Sequence, residues 1–574
     1  MTAHVNSKVL AVLDPHHVSS VMKSTSTFAG GYPVPGPQSP TVATAMNKDC
    51  FVDENTWRLI AENGEFDDIV VGSGFCALAY IDEALRLDPF RKILLLERGG
   101  FWLPDHFQNL PLPFQFVSHD VSETFPWELT SETVKGNLYL NGSSPFFGGR
   151  SSFWSIWSPH AIGKRASTDT DTVDPENEKT RDKFNLMDGF PKFMKEIAKK
   201  PHFYKDAERL LHVKPANKIE DPVYKSVLQK QFDRYLRSAL DDGPVDIPGA
   251  LCTEPARLAT GVPIGLPTQG FRQFSVVGSL LSINEWQNKL ARQNPPAGSP
   301  IMIATDVVIE RFEVEGPGGK PTHARVLHTS RGPLTLRGGK TNVILATGAI
   351  PATTILLNSL DETLKIRART SGPLLVNPTG KRITSHFRSQ VKARFKPGDD
   401  WVQEDAEANV PQDVALQLVG DEALALPTDR PVVSASHLRG RDENNGNLQW
   451  HIQIHGTHIP VGYHGRGLSV EEKARLYSRL FTSLAPDNGD TLTPEQAENS
   501  DGYVLVSCSV LGEHPKGTPS QIELNQSNPD VTTNIRLHLD LHTTSSSALP
   551  KDSAIKLWKT MEESTYDPFG YPAK

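Results

Sequence analysis

Four groups of residues in this 574-residue chain have types and spacing suited to chemistry. The first is Val70-Val71-Gly72-Ser73-Gly74-Phe75-Cys76-Ala77, with Glu97 twenty residues beyond Ala77 and Arg98 beside it. Glycine at 72 permits a tight turn out of a strand. Glycine at 74 lets a phosphate reach N–H groups at a helix N-terminus, and the small Ala77 lets helix and strand pack closely. A carboxylate at 97 would accept from a ribose hydroxyl, which completes the pattern of a dinucleotide site; the competing reading is a glycine turn that only packs. The second group runs from Leu140 to Pro159 and holds Gly148, Gly149, Ser151, Ser152, Phe153 and Trp154. It is too rich in small and aromatic residues for an ordinary strand or helix. It suits a loop wrapped around a large planar cofactor, with the Ser151 and Ser152 hydroxyls free to bond.

The third group, Thr341 to Pro351, reads as a buried strand that ends in a glycine turn at Ala346, Thr347 and Gly348 and enters a helix over 352–356. The fourth is histidine-rich: His451, His455, His458 and His464. On a strand His451, Gln453 and His455 share one face. Two such histidines could ligate zinc, but no cysteine or acidic residue stands at a spacing that completes a tetrahedral set. A polar substrate pocket is the better reading, and no metal is expected.

These groups need elements to position them. Apolar runs predict a strand over 68–71, a helix over 77–87 and a strand over 92–96, which make a βαβ unit. Helical spacing recurs over 186–212 and 222–241, β-rich runs lie at 301–308, 324–326 and 343–345, and residues 361–545 alternate β-like runs with polar loops. The expected class is α/β, α+β overall: a Rossmann-like dinucleotide-binding domain in separated pieces over 65–360, and an inserted, mainly antiparallel-sheet domain for substrate over 361–574. Residues 1–64, with GGYPVPGPQSP from Gly30 to Pro40, read as a mobile tail or arm, which could serve assembly into a homo-oligomer.

Composition excludes other classes. With 38% hydrophobic and 22% charged residues the profile is that of an ordinary globular protein. A net charge of −8, from 59 basic and 67 acidic residues, gives no reason to expect nucleic acid or an anionic membrane as partner. No apolar run has the roughly 18 residues of a membrane span, and no apolar stretch follows a basic start, so no membrane span or signal peptide is expected. Cys50, Cys76, Cys252 and Cys508 lie far apart without paired spacing, which argues against a disulfide scaffold and for a reducing, cytoplasmic setting.

In order and approximate spacing, VVGSG with ILLLERG, then GGRSSFW, then VILATGAI resemble the FAD-dependent glucose/methanol/choline (GMC) oxidoreductases. The nearest likeness is to the pyranose oxidase branch, through the flavin loop, through Phe203 to Glu208, and through Trp450-His-Ile-Gln-Ile-His455. The resemblance implies that Gly72, Ser73, Gly74, Ala77, Glu97 and Arg98 hold the ADP half of FAD, with Val307 or Val308 touching adenine through the backbone. It implies that Gly149, Ser151, Ser152, Phe153 and Trp154 lie along pyrophosphate and flavin, beside Ala346, Thr347 and Gly348. Gln453 would contact substrate, with His455 to His464 forming a substrate loop. Covalent pyranose oxidases use a histidine in the flavin loop where this chain has Phe153, so non-covalent FAD is implied.

The implied reaction is hydride transfer from a C–OH group of a sugar or secondary-metabolite alcohol to flavin, with oxygen or a quinone-like acceptor taking the electrons. The family's terminal His/Asn pair and flavin-closing segment have no counterpart before Lys574. Three explanations stay open: a shortened form of a longer protein, another base such as His455 or His458, or a non-redox flavin-fold protein acting as a cyclase, isomerase or scaffold. An NAD-dependent dehydrogenase has Glu97 in its favour but would not need the flavin loop.

Overall fold

The computed structural model describes residues 50–102, 126–130, 142–152, 154–161, 192–200, 202–219, 227–240, 249–260, 274–315, 323–337, 339–359, 386–395, 431–442, 448–461, 501–513 and 520–538, with Met46, Tyr224, Ser469 and Val470 between them. The fold is α/β. At its centre Asp68–Val71, Ile93–Leu96, Met302–Ala304 and Asn342–Leu345 form an all-parallel sheet. In space the fourth of these lies beside the first, then come the second and third. The chain therefore reverses direction across the sheet between Asp68–Val71 and Asn342–Leu345, which is the switch point of a doubly wound fold.

Strands buried on both faces explain the unbroken runs DIVV and ILLL. Val70, Ile93 and Leu95 pack under the helices Phe75–Leu87 and Val276–Ala291 through Leu78, Ile81, Leu85 and Leu280. Ile69, Val71, Leu94 and Leu96 pack on the other side against Leu327 and Leu334 of an antiparallel three-stranded sheet, Ile309–Glu315, His323–Thr329 and Gly332–Thr335. Trp57 and Ile60 join that second layer. They belong to a helix, Glu54–Asn63, inside the segment expected to be tail: Asp53 caps it by accepting from the Thr56 amide at 2.7 Å, and the Val52 amide donates to the Ile303 carbonyl. Residues 50–63 are therefore folded and not part of a tail, because a tryptophan and an isoleucine one turn apart give the helix a face to bury; the rest of the expected tail before residue 50, Met46 apart, lies outside the described residues.

The second large sheet has five antiparallel strands in the order His386–Phe395, Val504–Glu513, Leu448–His458, Val432–Asp442 and Ala250–Pro255. Its last strand comes from before residue 360, so the expected boundary between the two domains is crossed by the chain. Alternation gives this sheet two unlike faces. Trp450, Ile452, Ile454, Val506 and Cys508 form an apolar face under Leu228 and Phe232 of the helix Val227–Leu240. Gln229 of that helix accepts from the Ala435 amide at 2.8 Å and donates to the Ala435 carbonyl at 3.2 Å. A third sheet joins Gln521–Leu524 and Ile535–His538 to Glu128–Thr130, clamped by Arg536 on Glu128 at 3.0 and 3.1 Å. Among the described residues no helix is long and apolar enough to cross a membrane.

A buried carboxylate ties the parallel sheet together. Asp68 opens the first strand with no side-chain exposure, held by Arg91, by Tyr80 Oη at 2.9 Å and by Asn342 Nδ2 at 2.9 Å. Burial alone would raise its pKa, but the hydrogen bonds from Arg91, Asn342 and Tyr80 outweigh it and hold the carboxyl below its usual 3.8. The stability it contributes is present above that usual value and is lost as pH falls through the lowered one. Asp68→Asn is expected to cost about 2 kcal/mol at neutral pH, since Arg91 is partly open to water. Urea denaturation should show it, and the gap to the wild type should close as the pH is brought down into the acid range.

Candidate active site

Three of the four sequence groups meet at the switch point. Gly72, at φ +91°, turns out of the first strand so close to the end of the fourth that a Cβ would stand 2.7 Å from the Ala346 carbonyl oxygen and 3.1 Å from Thr347 Cα. The Ala346 amide donates to the Val71 carbonyl at 2.7 Å and locks the two turns together. Gly74 stands at the N-cap position of the helix Phe75–Leu87 with no side chain to cap it, no acidic residue stands in the first turn, and among the described residues nothing lies within 4 Å of where its Cβ would be. An open, uncapped helix N-terminus carries free N–H groups and a partial positive charge, which suits an anion. Gly348, at φ +85°, is open in the same way on the neighbouring turn.

The aromatic and glycine loop arrives from the other side. A Cβ on Gly149 would sit 3.7 Å from Gly74 Cα, so the loop crosses directly over the helix start. Gly148 donates its amide to Ser73 Oγ at 2.8 Å, and Ser73 Oγ donates to Glu97 Oε2 at 2.6 Å. Glu97 also accepts from the Ser73 amide at 3.0 Å and from the Gly99 amide at 3.0 Å. It is 5% exposed, and burial pushes its carboxyl up to about 7 against the pull of those donors.

The serines differ. Ser151 Oγ is used within the protein: it donates to the Gly148 carbonyl at 2.7 Å and accepts from the Val276 amide at 3.1 Å, contrary to the expectation of a free hydroxyl. Ser152 Oγ, fully buried, and Thr347 Oγ1 have no hydrogen-bond partner among the described residues. Trp154 donates its indole N–H to the Phe274 carbonyl at 2.8 Å and meets Phe75 edge-on at 4.7 Å, roofing the helix start. Phe153 lies outside the described residues. Ala77 is fully buried in the helix–sheet contact. Arg98 points outward, and its charge reaches Asp530. Val307 donates its amide to the Glu97 carbonyl at 2.9 Å. Val308 spends its amide on Ser330 Oγ at 3.0 Å and accepts from the Ser330 amide, so its amide is not available to adenine.

The fourth group lies on the second face of the five-stranded sheet. Register places Gln453 opposite His437 and Ser509, His455 opposite Ala435 and Ser507, and His451 opposite Arg439. His455 is buried, with Thr457 Oγ1 3.4 Å from Nε2. His458 is separated from it: odd and even positions point to opposite faces, and burial lowers its pKa to about 4, which unsuits it as a base near neutral pH. His464 and the rest of the expected substrate loop from 462 lie outside the described residues. Among the described residues no three His, Cys, Asp or Glu side chains gather in a metal-binding group.

The loop that crosses the helix start also reaches this polar face. Ile156, buried at φ +54°, is a strained turn for a β-branched residue, and it aims Trp157 onto His437 at 4.8 Å between ring centroids. His437 is fully buried, neither ring nitrogen has a hydrogen bond among the described residues, and burial holds it well below the usual histidine range. Beside it Glu254 pairs with Arg439 and approaches Arg257 at 3.8 Å, and Glu208 binds Arg257 and His160, the latter at 2.7 Å. Of these residues only Glu208 stood in a stretch singled out in the sequence, as the last of 203–208. The alternation of Ser434, Ser436 and Leu438 with Ala435, His437 and Arg439 was the signal that could have shown a two-faced strand there.

No protein-family model matches the chain, and no curated protein matches it. Among solved structures it is similar to pyridoxine 4-oxidase from Mesorbium loti, at 12% identity over 88% of this chain and 80% of that one, with a TM-score of 0.41. It is also similar to a formate oxidase variant of Aspergillus oryzae RIB40 at 13% identity, over 88% and 81%, with a TM-score of 0.38. A fungal aryl-alcohol oxidase overlaps at 12% identity, over 88% and 83%, with a TM-score of 0.36.

The two glycines of the turn should respond oppositely to one added methyl. Gly72→Ala is expected to lose at least about 2 kcal/mol, from a strained φ and from contact with backbone that cannot yield. Gly74→Ala should stay within about 1 kcal/mol of the wild type, since its Cβ enters open space at an extended N-cap. Denaturation of the two variants side by side is the measurement, and equal losses would contradict the geometry.

Proposed function

We propose that this chain is an FAD-dependent oxidoreductase of the GMC type that oxidises a C–OH group of a sugar or secondary-metabolite alcohol. The observation that supports it is the open cradle where the first and fourth parallel strands diverge, bounded by two glycine turns and crossed by a third, aromatic loop. Ligands of doubly wound sheets bind at that crevice, beyond the carboxyl ends of the strands. The residues present fit such a cofactor: a helix start without a side-chain cap and, among the described residues, open space at Gly74 and Gly348 and two hydroxyls, of Ser152 and Thr347, without partners.

In this reading the amides that open the helix Phe75–Leu87 bind the pyrophosphate, Gly149 keeps the crossing loop from filling its place, and Ser152 and Thr347 orient the cofactor along the crevice. Trp154 and Phe75 exclude water from one wall. Bound FAD would supply the hydride acceptor and hand the electrons to oxygen or a quinone-like molecule. Gln453 positions the alcohol and His455, on the same face, holds its proton; a base so placed is worth roughly 10²- to 10⁴-fold. Phe153, in place of a histidine, favours non-covalent FAD. The narrower likeness to pyranose oxidases has the sequence of the loop, of 203–208 and of 450–455 as its support.

Purified protein incubated with FAD and then freed of excess should retain a visible flavin absorbance, and Gly74→Val should weaken FAD binding at least about tenfold, because the branched side chain fills the phosphate's place. Protein that stays colourless sinks the reading. Anaerobic bleaching of the bound flavin by a panel of sugars and benzylic alcohols then identifies the donor.

A further inference from the structure

The carboxylate at the end of the second strand is the residue expected to hold a ribose. Its surroundings give it other work. Oε2 accepts from both the Ser73 amide and the Ser73 hydroxyl, at 3.0 and 2.6 Å, which fills the two lone pairs of that oxygen. Oε1 accepts from the Gly99 amide at 3.0 Å, and only 5% of the residue reaches solvent. A ribose could reach one remaining lone pair at most. The Ser73 hydroxyl, which donates its hydrogen bond to Glu97, accepts from the Gly148 amide at 2.8 Å. Gly148 is also held at its carbonyl by Ser151 Oγ, which itself accepts from the Val276 amide. Each hydroxyl thus accepts one hydrogen bond and donates one, and a buried chain so polarised is stronger than its separate bonds.

We propose that Ser73 and Glu97 act together as a positioning device for the loop 145–152, and that Glu97 is not a bidentate ligand of the nucleotide ribose. Glu97 fixes the Ser73 hydroxyl, Ser73 fixes the Gly148 amide, and Gly148 brings Gly149 over the open start of the helix Phe75–Leu87. The inference rests on the proposed cofactor site for its consequence in binding, but its structural part stands without any cofactor.

The test uses Ser73→Ala, Ser73→Cys, Glu97→Gln and the Ser73→Ala/Glu97→Gln double variant. Cysteine is close to serine in size and a weak donor, so it separates loss of the hydrogen bond from loss of volume. Hydrogen exchange on the protein without ligand should speed up over 145–152 in all four variants and stay unchanged in the helix Ala349–Ser359. FAD affinity should fall about tenfold or more in each single variant, and no further in the double one, because both substitutions cut the same relay. Wild-type exchange over 145–152 in both serine variants would overturn the device. So would a loss of ADP binding in Glu97→Gln that Ser73→Ala does not share, which would make Glu97 a ribose ligand. If the wild type fails to bind FAD at all, the functional reading falls, and the exchange result still decides the device.

Discussion

The approach of the Gly72 turn to the Ala346 carbonyl is the constraint on which the site depends. Two parallel strands that lie side by side must part at their carboxyl ends, since one leads to a helix on one face of the sheet and the other to a helix on the opposite face. Whatever fills the gap between them has to satisfy backbone groups that no strand can reach. Here the gap is closed at its base, where the Ala346 amide bonds the Val71 carbonyl, and open above it, at Gly74 and Gly348. Only a residue without Cβ and tolerant of positive φ can stand at 72, so the chemistry of the crevice follows from a packing requirement one residue before it.

That division explains which parts of the structure were legible in the sequence. The βαβ unit was readable because its strands, buried on both faces, are unbroken apolar runs, and turns that need positive φ take glycine; Asn342–Leu345, expected to be buried, is only partly so, and its apolar run marked it as a strand all the same. The co-facial placement of His451, Gln453 and His455 followed from alternation alone. The helix Glu54–Asn63 was missed because its burial rests on two side chains within a largely polar decapeptide. Within the helical pattern over 186–212 the described residues form two short helices, Lys192–Ala198 and Phe203–Leu210, while 186–191 lie outside the described residues. The partners of Ser73, Ser151 and Glu97 were illegible for a different reason: a hydroxyl's use depends on which distant amide the fold brings to it, as Gly148 comes to Ser73 across 75 residues.

The polar face of the five-stranded sheet shows the same limit at larger scale. Arg439 is 1% exposed and Glu254, its partner, belongs to a strand about 185 residues earlier. Burying such charges costs several kcal/mol each before pairing repays it, and hydrophobic replacements of similar shape are often as stable. A fold that keeps Glu254, Arg439, Arg257, Glu208 and His160 together therefore gains little stability from them; what it gains is a fixed arrangement of polar groups beneath Trp157 and beside His437. The strain at Ile156 belongs to the same account. A left-handed β-branched residue persists only where the surroundings overdetermine it, and the surroundings here are a loop tied at Gly148 to one layer and at Trp157 to another.

Glu97 then resolves an apparent conflict. An acidic group is a poor neighbour for an anion, yet this one lies under the helix start that anions favour. Burial raises it to about 7, so near neutral pH it carries only part of its charge. The stability gained from the neutral form is complete below its ordinary value of 4.5 and is lost as pH rises through about 7, so the ionised form is the strained one. Two donors from Ser73 and the backbone amides of Gly99 and Arg98 are what make that ionised form tolerable at all. A carboxylate wrapped in the protein's own N–H and O–H groups repels a neighbouring anion less than a bare one, and wrapping it is what places the crossing loop.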